Sequence, residues 1–138
     1  MKFDFIGLPI FDESLSVLIA KEALPPSVIS CVNAWSFYCY YKQTRFQQVV
    51  QNSFNLPDGI SIVWGSYLTD RQHLKRITGI DVLYFFLEHA KESAIQRIMF
   101  LGSSEKVLFK IKEKATLSFP DLMFIFVSPP FKDEFNQN

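Results

Sequence analysis

The chain has 138 residues, of which 49% are hydrophobic and 20% are charged, and this composition excludes the disordered and fibrous classes of protein. Its 14 basic residues balance 14 acidic ones, so no global field favours nucleic acid or an anionic membrane, and any membrane contact would have to be local. The two cysteines, Cys31 and Cys39, have no zinc-type spacing with His73 or His89, so we expect no metal site and a cytosolic protein with reduced thiols. The length predicts a single domain, residues 1–138, and the charge balance predicts no nucleic-acid partner.

The first third of the chain predicts a strand, a helix, a second strand and a second helix. Residues 3–6 predict a short strand, and Asp12 is placed to N-cap a helix. The β-rich run "SVISCV" predicts a strand that ends at Asn33. The segment from Ala34 to Gln51 then predicts one helix.

The middle of the chain predicts a strand and two helices. The run "SFNL" predicts a short strand that leads to Asp58-Gly59, and "ISIVWGSYL" favours a helix, although its β-branched residues would also suit a strand. An apolar stripe opposite charged side chains predicts another helix from about Ile80 to Glu92.

The last third predicts strand, helix and strand. The run "RIMFLG" predicts a buried strand that ends in Gly102, and "LMFIFV" predicts a last strand. Between them, Glu105 to Ala115 predicts a helix whose lysines lie largely toward solvent. This lysine run is typical of a solvated face, and it could also approach a membrane surface.

Strands that alternate with helices predict a Rossmann-like α/β fold, with a mainly parallel sheet and helices on both faces. Ligands bind beyond the carboxyl ends of such strands, so Asn33, Asp58 and the turn at Gly102 and Ser103 are predicted to face one crevice. Only "SPPFKDEFNQN" follows the last strand. We therefore expect a domain cut short at its C-terminus, with one sheet face uncovered.

Asp58 has two interpretations. An Asp-Gly turn, in which Gly59 supplies a positive φ and Asp58 bonds nearby backbone amides, is the one that the local pattern favours. The alternative is a general base that takes a proton from an attacking hydroxyl.

The other polar candidates also have a structural and a functional interpretation. Asn33 is an N-cap, and the helix terminus it caps would suit a diphosphate. Arg76 belongs to a solvated charged surface or holds phosphate oxygens in a bidentate fork. Asp81 is favoured as a helix-start residue, and Gly102 with Ser103 forms a weak phosphate-binding pattern that matches neither GxGxxG nor a Walker loop.

The order of these segments resembles the bacterial WecG/TagA/CpsF glycosyltransferase family. The resemblance rests on "CVNAWSFY", "NLPDGISIVW", "RITGIDVLYFFLEHA", "RIMFLGSSEKVLFKI" and "FPDLMFIFVSPPF", in that order. Its most specific parts are N-A after a strand, the P-D-G-I-x-x-V-W block and R-x-T-G-x-D.

The resemblance implies an inverting transfer of an N-acetylmannosamine-type sugar from a UDP-sugar donor to N-acetylglucosamine on a polyprenyl diphosphate, without a cofactor or metal. It places the enzyme at the inner face of the cell membrane, in teichoic acid, common-antigen or capsule synthesis, with a possible homo-oligomer. Asp58 would be the catalytic base, and the substrate-binding residues would be Asn33, Gly59, Arg76, Gly102 and Ser103.

The sequence also departs from the family pattern. Cys31 stands where threonine is common, Ser103 lies in a turn that is often richer in glycine, and a G-x-P-K-Q-E segment with a basic C-terminal appendage is missing. The alternative to an active enzyme is therefore a truncated, inactive remnant, which would act at most as a nucleotide-sugar-binding or interaction module.

Overall fold

A computed structural model of the chain describes residues 2–20, 28–90 and 97–130. The internal contacts divide the chain into two compact units, Met1–Phe86 and Leu87–Asn138, and each is described by itself. The prediction of a single domain stays a prediction.

The described residues form six strands and six helices. In chain order these are β1 (Lys2–Phe5), β2 (Leu8–Phe11), α1 (Leu15–Ala20), β3 (Val28–Val32), α2 (Ala34–Lys42), α3 (Thr44–Gln51), β4 (Ser53–Pro57), α4 (Ile60–Asp70), α5 (Gly79–Glu88), β5 (Arg97–Leu101), α6 (Glu105–Ser118) and β6 (Met123–Val127). Strands β1 and β2 pair antiparallel, whereas β3–β4 and β5–β6 are parallel pairs joined by helices. The Rossmann-like α/β class is confirmed, with three two-stranded sheets among the described residues.

An N-terminal hairpin was not predicted. Its turn residues Ile6 and Gly7 have φ values of 48° and 78°, the left-handed pair that closes a tight two-residue hairpin. The hydroxyl groups of Tyr40 and Tyr41 donate to the carbonyl groups of Gly7 and Ile6, respectively. Because the chain continues as β2, helix α1 begins only at Leu15, and the prediction that Asp12 caps it is wrong.

The predicted helix from Ala34 to Gln51 is in fact two helices. It breaks at Gln43, which has extended dihedral angles (φ −128°, ψ 106°) and accepts the first backbone bond of α3 from Gln47. A continuous helix would place Tyr40 and Val50 about 80° apart around its axis. The break lets both side chains enter one hydrophobic cluster, where they are 4% and 1% exposed.

The hairpin lies in the core of the first unit. The main cluster contains buried residues from β1 to the segment after α4: Phe5, Leu8, Ile10, Val32, Tyr40, Val50, Ile62 and Leu74. Asn55, 1% exposed, donates from Nδ2 to the carbonyl groups of Pro9 and Val50, each at 2.8 Å. This amide ties β4 to both the hairpin and α3.

The second unit has one covered and one exposed sheet face. Helix α6 packs against β6, and Phe100 of β5 stacks on Phe126 of β6 with ring centroids 5.4 Å apart. The opposite face carries exposed apolar side chains: Met99, Leu101, Met123, Ile125 and Val127. The prediction that β5 is a buried strand is wrong, because alternate residues lie on opposite faces of a strand and only one face meets α6.

Helix α5 also differs from its prediction, although its amphipathic character holds. It begins at Gly79 and ends at Glu88, four residues before the predicted end at Glu92. The turn after it retains Ala90 as a buried side chain, so the apolar pattern extends beyond the helical backbone.

Candidate active site

The loops that follow β3 and β4 are joined by backbone hydrogen bonds. Val32 and Pro57 end the two strands as a register pair, so Asn33 and Asp58 start from the same sheet edge. The carbonyl oxygen of Val32 accepts from the N–H of Asp58 at 3.0 Å and of Gly59 at 3.2 Å. Asn33 and Asp58, which are 25 positions apart in the sequence, therefore lie in one small region of the structure.

Asn33 is the N-cap of α2, as predicted. Its Oδ1 accepts from the backbone N–H groups of Trp35 at 3.0 Å and Ser36 at 3.1 Å. Asn33 is exposed, and no group in the described ranges accepts a hydrogen bond from its Nδ2. The side chain is thus held by its oxygen while its two amide N–H donors stay open to a ligand.

Gly59 is required for a reason that differs from the predicted one. Its φ is −79°, not positive, so the predicted left-handed Asp-Gly turn is wrong. A Cβ at this position would lie 3.0 Å from both Cα and Cβ of Asn33, closer than such atoms normally approach. The absence of a side chain therefore allows the β4–α4 loop to lie against the β3–α2 junction.

The Asp58 carboxylate faces a cation and is free of the turn contacts that the local pattern predicted. The side chain is 28% exposed, and its Oδ1 lies 3.5 Å from Nη2 of Arg76. Asp58 directly precedes Gly59, the N-cap of α4, which makes no side-chain capping bond. The positive end of a helix favours a negative charge near it, and the Arg76 guanidinium is the cation that contacts this carboxylate.

Arg76 is positioned by its neighbour in the chain. The N–H of Ile77 donates to the carbonyl oxygen of Pro57 at 3.0 Å, which holds this segment beside the end of β4. Nε of Arg76 donates to the carbonyl oxygen of Asp58. The Arg76 side chain is still 54% exposed, so part of the guanidinium can bind another anion.

The start of α5 adds a second carboxylate to the same region. Thr78 and Asp81 form a reciprocal cap: Asp81 Oδ2 accepts from the Thr78 N–H at 2.8 Å, and Thr78 Oγ1 accepts from the Asp81 N–H at 3.2 Å. The Thr78 hydroxyl group also donates to Asp81 Oδ2, at 2.7 Å, and this bond together with the one from the Thr78 N–H lowers the pKa of Asp81. Asp81 is thus a helix-start residue, as predicted, and the T-x-x-D spacing is the signal that could have identified Thr78.

The Cys31 thiol lies beside the start of α5, and both carboxylates act on its pKa. Burial raises the pKa of its thiol, and the negative charges of Asp58 and Asp81 raise that pKa further. Its Sγ also lies 3.7 Å from where a Cβ on Gly79 would be. The Cys31 side chain therefore borders the candidate site.

Gly102 and Ser103 lie in the second unit. Both have left-handed backbones, with φ values of 107° and 75°. Gly102 N–H donates to the carbonyl of Val127 at 2.9 Å, and Ser128 Oγ donates to the carbonyl of Ser103 at the same distance. These bonds hold the turn beside the end of β6. Its predicted place in a common crevice with Asn33 and Asp58 stays a prediction.

Comparison with known proteins identifies the family. The sequence model described as "Glycosyl transferase WecG/TagA/CpsF family" matches residues 4–138. The chain belongs to the WecG/TagA/CpsF family. The resemblance inferred from the ordered segments is thereby confirmed, and Asp58, Asn33 and Arg76 all lie in the matched region.

One relative in this family comes from Bacillus subtilis (strain 168). It is named N-acetylglucosaminyldiphosphoundecaprenol N-acetyl-beta-D-mannosaminyltransferase and is 32% identical to this WecG/TagA/CpsF chain over 97 residues. The match covers 70% of this chain and 38% of the Bacillus protein. The chain thus aligns with well under half of the relative's length.

Two further observations concern ligands and membranes. In the part of this WecG/TagA/CpsF chain that the structure describes, no three or more His, Cys, Asp or Glu side chains are grouped as a metal site would require. No helix in those same ranges combines the length and apolar character needed to cross a membrane.

Proposed function

We propose that this protein is an inverting glycosyltransferase whose reaction takes place at the joined ends of β3 and β4. The observation that carries the proposal is the placement of Asp58. In a chain of a glycosyltransferase family, this carboxylate is partly exposed, lies beside Arg76 and directly precedes the N-cap of α4.

The proposed substrates follow the name of the Bacillus relative, which states an N-acetylmannosaminyl group and an N-acetylglucosaminyl-diphosphoundecaprenol acceptor. We propose a UDP-linked sugar of the N-acetylmannosamine type as the donor. Because such an acceptor is anchored by its lipid, the reaction would occur at the inner face of the membrane, in the synthesis of a cell-surface polymer such as teichoic acid or capsule.

In the proposed step, the acceptor hydroxyl oxygen attacks the anomeric carbon of the donor from the side opposite UDP. The new carbon–oxygen bond forms while the bond from the anomeric carbon to the β-phosphate oxygen breaks, and its electron pair leaves with UDP. Asp58 accepts the proton of the attacking hydroxyl. General-base catalysis of this kind contributes roughly 10²–10⁴-fold to the rate.

The diphosphate of the donor needs positive charge and N–H donors. The exposed part of the Arg76 guanidinium supplies the charge, and the Nδ2 group of Asn33 adds neutral donors. The first N–H groups of α4 lack a side-chain cap, which leaves them open to an anion. We propose that Gly59 keeps these groups close together.

Titration calorimetry with UDP tests the binding part of the proposal. We expect the wild-type protein to bind UDP and Arg76→Gln to bind it about 10–100-fold more weakly, as loss of a charge-assisted hydrogen bond predicts. Lys75→Gln is the matched control, because Lys75 is an exposed neighbouring cation, and it should bind like the wild type. Equal affinities for both variants would contradict the assignment of Arg76.

A transfer assay with a panel of UDP-sugars and purified lipid-linked acceptor tests the reaction. We expect a mannosamine-type donor to be used in preference to UDP-glucose. UDP binding without transfer from any donor would contradict the enzymatic proposal and favour the alternative of a nucleotide-sugar-binding module.

A further inference from the structure

Helix α6 presents an exposed row of lysines on the side opposite its core contacts. Its inner side is buried through Leu108 and Ala115, which are 6% and 8% exposed. Lys106, Lys110 and Lys114 are spaced four residues apart and are all exposed, so they follow one another along one side of the helix.

Large apolar side chains lie on the same side as these lysines. Phe109 is 60% exposed and Leu117 is 86% exposed. At about 100° per residue, these two side chains lie roughly 80° apart around the axis, with Lys106 between them. The phenyl ring and the leucine add exposed apolar area beside the lysine ammonium groups, so this face offers contacts for both lipid headgroups and acyl chains.

The charge on this face is positive even though the chain is neutral. Three lysines share the sector with one acidic side chain, Glu113, which leaves a local excess of two positive charges. The whole chain has 14 basic and 14 acidic residues, so any electrostatic attraction to an anionic partner must come from such a local face.

We propose that this face of α6, formed by Lys106, Phe109, Lys110, Lys114 and Leu117, docks on the surface of an anionic phospholipid bilayer. A helix of 14 residues is about 21 Å long and can lie in the plane of the headgroups. The ring of Phe109 and the side chain of Leu117 enter the boundary with the acyl chains, while the lysine stems extend along apolar surface and keep their ammonium groups among the anionic headgroups.

The positive charge of this face favours an anionic bilayer, and not a second copy of this chain, as its partner. A second copy would bring its own lysines to the same face, and like charges would repel. An anionic bilayer neutralises all three lysines, and each should raise partitioning roughly fivefold. The proposal uses none of the residues of the proposed transfer step, so its test does not depend on that activity.

Sedimentation with vesicles tests the proposal, with no nucleotide sugar present. We expect the protein to bind vesicles of phosphatidylcholine mixed with phosphatidylglycerol and to bind vesicles of phosphatidylcholine alone far more weakly, with the difference shrinking at high salt. The triple change Lys106→Gln, Lys110→Gln and Lys114→Gln should weaken binding roughly 100-fold. The corresponding triple change to arginine should retain it.

Two further variants make the test specific. Phe109→Ser with Leu117→Ser should weaken binding to the anionic vesicles while leaving the three lysines in place. Lys112→Gln is the matched control, because Lys112 is exposed but lies roughly 120° to 160° around the helix from the other three lysines, and it should bind like the wild type.

Three results would overturn the proposal. They are equal binding to neutral and anionic vesicles, equal losses in the triple variant and in Lys112→Gln, and a dimer in solution that dissociates when Phe109 is changed to serine. The last result would assign the face to self-association. Circular dichroism of every variant checks that α6 and the rest of the fold are intact.

Discussion

Replacing Gly59 by alanine tests the close approach that builds the candidate site. The φ of −79° is one that alanine adopts freely, so without other contacts the change would stabilise the protein by about 0.4–1 kcal/mol. The new Cβ, however, would lie 3.0 Å from Cα and Cβ of Asn33. Because a backbone atom must move, overpacking should cost about 1–3 kcal/mol, and we expect a net loss of about 1–2 kcal/mol.

Gly79→Ala is the matched control for this prediction. A Cβ at Gly79 would meet Sγ of Cys31 at 3.7 Å, an ordinary contact, and Gly79 is the first residue of α5. The free energy of unfolding of this variant should be unchanged or raised by up to about 1 kcal/mol. The same substitution is thus expected to have opposite signs at two positions of one unit.

Urea unfolding followed by tryptophan fluorescence measures both variants. The two tryptophans, Trp35 and Trp64, lie in the first unit, so their fluorescence reports on the unit that contains the site. A Gly59→Ala protein as stable as Gly79→Ala would refute the reasoning, because it would mean that the β4–α4 loop does not lie against Asn33.

Three other predictions follow from the same region and from the hairpin. Asp81→Asn should be less stable than the wild type at neutral pH, and the difference in stability should shrink below about pH 4. The reason is that a carboxyl group whose folded pKa is lowered by Thr78 stabilises the fold only while it is ionised. Unfolding at several pH values measures this difference. Cys31 should react slowly with iodoacetamide at pH 8. The Asp58→Asn change should accelerate this reaction, because it removes a negative charge that raises the thiol pKa. Peptide mass spectrometry measures the two rates. Ile6→Asn should raise the free energy of unfolding by about 1 kcal/mol, because a β-branched residue is strained at φ 48° whereas asparagine tolerates it; a lower unfolding midpoint would contradict this.

Local sequence signals predicted much of the site. Strand β3 followed from a β-rich run, Asn33 as the N-cap of α2 from a polar side chain at a helix start, and strand β4 from an apolar run before a loop with proline and glycine. The parallel pairing that places Asn33 and Asp58 at one edge followed from the alternation of strands and helices. The family followed from the order of the segments.

Tertiary contacts decided the features that the sequence did not predict. The role of Gly59 depends on its close approach to Asn33, which is 26 residues earlier. A local sequence pattern does not show that two such distant residues are in contact. The break at Gln43 has no glycine or proline to mark it and serves to bring Tyr40 and Val50 into one cluster. The hairpin turn at Ile6 lacks the usual asparagine, and tyrosine hydroxyl groups from α2 bond to its carbonyl groups.

The exposed face of β5 and β6 illustrates a different limit. A short apolar run predicts a strand but does not tell how many of its faces are covered. Here alternate residues pack toward α6 and the others are exposed. Met99 and Leu101 were predicted to be buried because they are apolar, but they lie on the exposed face.

The rate of sugar transfer by Asp58→Asn, compared with the wild type and with Asp81→Asn, tests the central claim most directly. Both variants replace a carboxylate of the same region with an amide, and UDP binding measured in parallel separates loss of the base from loss of the site. We predict that Asp58→Asn binds UDP but transfers roughly 10²–10⁴-fold more slowly, whereas Asp81→Asn retains transfer. Transfer by Asp58→Asn at the wild-type rate would contradict the account.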